Sequence, residues 1–166
     1  GGRVKTLHPK VFGGILAMRN EDHLSQLAHF QIPSIDLVVV DLYPFEETLA
    51  STDDESAIIE KIDIGGVSLI RAAAKNFKDV VVIGSRQGYA ALKDILGNNG
   101  ITRMETRKKL AYEAFSVTAR YDTLIRDYFA GGMGRISLRY GENPHQKAWF
   151  EGDLGLEYLH GKELSY

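Results

Sequence analysis

The 166-residue chain contains no cysteine, which removes disulfides and thiolate metal sites from consideration. Its five histidines never recur at HxxxH or HxH spacing, so no metal is expected. A surplus of one charge is also missing. Twenty Lys and Arg stand against 22 Asp and Glu, for a formal net charge of −2. That balance argues against a broad nucleic-acid or anionic-membrane surface, and any anion has to be held locally. No apolar run approaches the roughly 18 residues of a membrane span and no signal-peptide pattern is present, so the expected compartment is the cytoplasm. Repeats and low-complexity tracts are absent as well. What is present is ordinary for a folded domain: 44% hydrophobic and 25% charged residues. The length suits one domain, or one domain plus part of another.

Asp36 to Leu42 is short, β-branched and almost continuously apolar, and predicts a buried strand. Asp79 to Gly84 predicts a second. Helical spacing is expected over 10–18, over 21–31 with Pro33 ending it, and over 54–61, 68–75 and 86–96. Strands alternating with helices indicate an α/β fold with a parallel sheet flanked by helices. Residues 102–129 contain neither Gly nor Pro, and Met104, Ala111, Ala114, Phe115, Thr118, Tyr121, Ile125 and Tyr128 recur at helical intervals. One rod of about 40 Å is predicted, its aromatic stripe serving core or subunit interface. Glycine-rich residues follow it. The expected organisation is a first domain over 1–130, a linker over 131–137, and the start of a second domain over 138–166, with a strand-like segment beginning at Ile136.

Asp63-Ile64-Gly65-Gly66 precedes a helix-like run ending Arg71-Ala72-Ala73-Ala74-Lys75-Asn76. Glycines there let backbone N–H groups approach a ligand, and a helix N-terminus favours an anion. Arg71 and Lys75, four apart, share a helix face. The same pattern also suits an ordinary helix whose terminal cations complement its dipole.

Further motifs accompany this one: Gly2-Arg3-Val4-Lys5-Thr6-Leu7-His8-Pro9-Lys10, Gly13-Gly14-Ile15-Leu16, Asp41-Leu42-Tyr43-Pro44-Phe45, and Leu138-Arg139-Tyr140-Gly141-Glu142-Asn143-Pro144-His145-Gln146. Together, in this order, they closely resemble the bifunctional purine-biosynthesis family AICAR transformylase/IMP cyclohydrolase. The resemblance runs over essentially all of the chain and covers an internal window of the much longer family sequence. It implies a methylglyoxal-synthase-like cyclohydrolase domain, without its first strands, that closes formyl-AICAR to IMP with loss of water. The opening of the transformylase domain follows. That domain takes formyl from 10-formyltetrahydrofolate, while the cyclohydrolase needs no cofactor. A homodimer is implied for the full-length form.

By the same resemblance Lys5, Tyr43, Asp63 and Lys75 occupy the cyclohydrolase catalytic positions. Arg3, Val4, Thr6, Val40, Asp41, Ile64 and Gly65 flank the nucleotide, and Arg139 and Tyr140 match an AICAR-binding pair. In such a site Asp63 would take a proton from the attacking amide, Lys5 would stabilise the oxyanion, Tyr43 would orient the formyl oxygen, and Lys75 would shuttle protons to the departing water. One small nucleotide served by all four requires their side chains to converge near the C-terminal ends of the strands. Departures are visible. The family's serine- and glycine-rich phosphate loops occur nowhere in the sequence, Phe12 and Asp41 replace His and Asn, and the transformylase's lysine–histidine pair is absent. The chain by itself is therefore expected to be inactive. Considered apart from the resemblance, Lys5 reads as a solvated loop cation, Tyr43 as a strand-end aromatic, Asp63 as a turn carboxylate, and Lys75 as a helix-end cation. A nucleotide-sensing regulatory module of the same fold is the alternative reading.

Overall fold

A computed structural model of the chain describes residues 7–131, 135–138 and 148–151. The chain divides into two compact units, Gly1–Ile125 and Arg126–Tyr166.

In the first unit, helix α1 (Pro9–Leu16) starts where His8 Nδ1 accepts a hydrogen bond from the Lys10 N–H at 3.1 Å, with proline at the first helical position. Helix α2 (Glu21–His29) is capped by the Asn20 side chain. It ends before Pro33 is reached, because Gln31 takes a left-handed φ of 53° and the Ile32 N–H returns to the Leu27 carbonyl. Strand β1 (Leu37–Val39) then leads to α3 (Phe45–Ser51), α4 (Glu55–Ile59) and α5 (Gly65–Lys75) before β2 (Val81–Ile83). The two strands run parallel, Val38 opposite Val82, as a crossover through helices allows. After β2 come a 3-10 turn (Arg86–Gly88), α6 (Tyr89–Gly97) and the long α7 (Met104–Ala130).

Ile70, Ala73, Val80, Val82, Ile83 and Ala114 are at most 1% exposed and form the centre of the core. Three small alanines on α5 let that helix lie close against both strands, while Ile15 joins from α1. Asn76, buried just past α5, donates to the carbonyls of Ile15 at 2.8 Å and Ala17 at 3.1 Å. It therefore ties the C-terminal end of α5 to that of α1.

Strand β1 is shorter than the seven residues expected, and it is buried on one face only: Val38 is 7% exposed but Val39 41%. Successive strand side chains alternate, so a two-stranded sheet with α5 on one side does not bury a continuous apolar run. Helix α4 likewise occupies only the centre of the predicted 54–61. The 86–96 helix is split by its initial 3-10 turn.

In the second unit β3 (Arg135–Leu138) pairs antiparallel with β4 (Ala148–Glu151), Arg135 opposite Glu151. Strand β3 begins inside the segment read as linker, and the division between the units falls within α7.

Candidate active site

Parallel strands place their C-terminal ends together, and there the chain leaves β1 through Val40, Asp41, Leu42 and Tyr43. The Asp41 carboxylate accepts from the Tyr89 hydroxyl at 2.5 Å and from Arg86 Nε at 3.4 Å. Both donors come from the segment after β2, so this contact joins the two strand ends. The hydrogen bond to Asp41 raises the Tyr89 phenol above its ordinary value and keeps it a donor. Asp41 is thus a paired carboxylate.

Tyr43 is 45% exposed at the strand end, whereas Phe45, two residues on, is 1% exposed. The Phe45 ring meets Tyr121 of α7 edge-on at 6.0 Å. Tyr121 also holds the next segment of the site: its hydroxyl accepts the Asp63 N–H at 3.0 Å and donates to the Lys61 carbonyl at 2.5 Å. Burial pushes this phenol up from its ordinary value, with the nearby carboxylates of Asp63 and Asp122 acting in the same direction. A single buried side chain thereby clasps the 61–63 turn and packs behind the Tyr43 segment.

Asp63 stands directly before α5. Its Oδ1 accepts the Gly66 N–H at 2.6 Å, which caps the first turn of the helix and fixes the carboxylate. A Cβ at Gly66 would lie 2.6 Å from Asp63 Oδ2 and would displace the carboxylate from this position. With Oδ1 engaged and Oδ2 without a partner among the described residues, the carboxylate is oriented and retains a site for one proton or hydrogen bond. Ile64, 51% exposed, and buried Gly65 complete this edge.

Lys75 is placed elsewhere. It ends α5, and the tight turn in which Asp79 and Val80 donate to the Asn76 carbonyl delivers the chain into β2. The C-terminal end of α5 therefore adjoins the N-terminal end of β2, and Asp63 lies at the opposite end. An 11-residue helix rises about 16 Å, so Lys75 and Asp63 stand at opposite ends of α5. Lys5 and the flanking Arg3, Val4 and Thr6 lie outside the described residues, as do Arg139 and Tyr140. Tyr121, Tyr89 and Arg86 are the positioning residues that sequence reading missed. Tyr121 was visible only as one member of a helical stripe, although a buried tyrosine hydroxyl always needs a partner. Among the described residues no group of His, Cys, Asp and Glu could hold a metal, and no helix is long and apolar enough to cross a membrane.

A family model described as the AICARFT/IMPCHase bienzyme matches residues 73–166. The bifunctional purine biosynthesis protein PurH of Bacteroides thetaiotaomicron is 53% identical over 179 residues, which cover 100% of this chain and 35% of that protein. PurH of Acetivibrio thermocellus is 48% identical, over 99% of this chain and 37% of its own length. The chain thus spans little more than a third of these relatives. The crystal structure of ForH is similar with a TM-score of 0.64 and 36% identity, over 78% of this chain and 68% of that one.

Proposed function

Because the chain belongs to the AICARFT/IMPCHase bienzyme family, we propose that its first unit carries IMP cyclohydrolase chemistry on a methylglyoxal-synthase-like fold. The reaction closes formyl-AICAR to IMP with loss of water, in the cytoplasm and in a full-length homodimer. Formyl transfer from 10-formyltetrahydrofolate to AICAR belongs to the second domain, where Arg139 and Tyr140 contribute to AICAR binding. The observation that supports the reading is the oriented Asp63 carboxylate, whose backbone is held by Tyr121 while the same ring packs against Phe45, two residues beyond Tyr43.

Ring closure is intramolecular: the amide nitrogen and the formyl carbon already belong to one molecule. Holding them in a near-attack geometry supplies up to roughly 7–11 kcal/mol, more than the factor of about 10²–10⁴ from a single acid or base. Asp63 Oδ2 takes the proton of the attacking amide, and Tyr43 directs the formyl oxygen. Lys5 stabilises the oxyanion, a contact worth about 3–4 kcal/mol. Val40, Ile64 and Gly65 flank the nucleotide with Arg3, Val4 and Thr6. Asp41, engaged by Tyr89 and Arg86, shapes the strand end rather than touching the phosphate. By the family resemblance Lys75 completes the catalytic set as the residue that shuttles protons to the departing water.

In the full-length protein, Asp63→Asn preserves a capping side chain and should slow formyl-AICAR cyclisation at least about tenfold while leaving formyl transfer intact. Unchanged cyclisation, or equal loss of both activities, would contradict the assignment.

A further inference from the structure

Helix α3 runs for seven residues and has no side-chain cap, because Pro44 stands at its N-cap. A helix that short does not hold itself in water, so contacts outside it decide where it lies. Phe45, 1% exposed, anchors its first turn. One buried ring locates that turn but defines its rotation only loosely. The next residue supplies what is missing: Arg120 of α7 donates through Nη2 to both carboxylate oxygens of Glu46, at 2.7 and 2.9 Å.

The same turn carries Tyr43. The Phe45 N–H donates to the Tyr43 carbonyl at 2.8 Å, closing a three-residue turn around Pro44. A displacement of α3 is therefore passed to the Tyr43 backbone. Arg120 and Tyr121 are consecutive on α7, so the segment after β1 and the 61–63 turn are both held from one point of one helix. Both members of the ion pair are more than half exposed, and such a pair adds little to stability. Catalysis is more sensitive, because a misplacement of about 1 Å at a reacting group can cost about 100-fold. We propose that Arg120, through Glu46, is a positioning residue that sets the place of the Tyr43 side chain. Its consequence for the rate rests on the reading of Tyr43 as the group that directs the formyl oxygen.

Kinetics of the full-length protein test it, together with fluorine NMR of the same protein carrying 3-fluorotyrosine, the Tyr43 signal being identified by its loss in Tyr43→Phe. Arg120→Gln should move the Tyr43 signal and lower kcat for cyclisation about three- to tenfold, with KM within about twofold. Formyl transfer should be intact and the thermal midpoint should move by no more than about 3 °C. Adding Glu46→Gln to Arg120→Gln should cost nothing further, since the two residues act as one pair. Rising salt should bring the wild-type kcat toward that of Arg120→Gln, which should itself respond less. The proposal is overturned by a Tyr43 signal that does not move, by losses that multiply in the double variant, by a raised KM at constant kcat, or by an unchanged kcat where Tyr43→Phe is slow. A Tyr43 signal that moves while Tyr43→Phe cyclises at the wild-type rate supports the positioning and overturns the catalytic reading of Tyr43 instead.

Discussion

Tyr121 shows how one atom organises a site. Its hydroxyl satisfies a backbone donor and a backbone acceptor at once. Tyr121→Phe keeps the ring against Phe45 but orphans both groups, at an expected cost of about 1–3 kcal/mol in urea unfolding. Cyclisation should lose kcat with little change in KM, because Asp63 shifts while the nucleotide contacts remain. A pH dependence follows from the same residue. A phenol whose folded-state pKa is raised contributes its stability fully below the unfolded value, and loses it as pH rises through the folded value. Urea midpoints should therefore stay level from about pH 7 to 9 and decline above about 10. The decline should be smaller in Tyr121→Phe, with Tyr89 supplying the remainder. Asp41→Asn retains an acceptor for Tyr89 and loses only an ion pair with a largely exposed arginine, so stability should change by less than about 1 kcal/mol. Ultraviolet titration should show Tyr89 ionising closer to its ordinary value.

At the scale of the element, α5 is one helix with two unlike ends. Gly66→Ala improves helix propensity by roughly 1 kcal/mol, yet the added Cβ displaces the Asp63 carboxylate, the free end of a side chain. Thermal stability should barely change while cyclisation falls at least about tenfold. At the other end, Asn76→Ala removes the amide donor of the buried Ile15 carbonyl and one of the two donors of the Ala17 carbonyl, which keeps Arg19. It should cost about 1–3 kcal/mol without altering cyclisation of the folded protein. Opposite outcomes at the two ends would show that the chemistry has been placed at the wrong terminus. The position of Lys75 was legible from element order, since a helix turning directly into a strand ends beside that strand's beginning.

For the molecule as a whole, the division at Ile125 and Arg126 coincides with no break in the backbone hydrogen bonding of α7. Exposed Gly131, at φ 53°, is the first residue after the helix. Limited proteolysis with a broad-specificity protease should cut among Gly131, Gly132 and Gly134 and release a product ending near Ala130, measurable by intact-mass spectrometry. Prior cleavage at the Ile125–Arg126 boundary would show that α7 opens there before the glycine tract is attacked.

Covalent spacing and local periodicity are properties of the sequence, and what depends on them was readable from it: the helices other than α3, the two parallel strands, the 27-residue α7 and the motifs of the family. The capping role of Asp63 was equally local, because its partner lies three residues away. Contacts between distant residues follow from how helices pack, which no window of sequence encodes. Tyr121 meets Asp63 across 58 positions, Tyr89 meets Asp41 across 48, and Lys108 shares a groove with Lys75. Tertiary structure alone decided which carboxylates are paired and oriented, and which cations face a groove, because those states are set by through-space distance and burial.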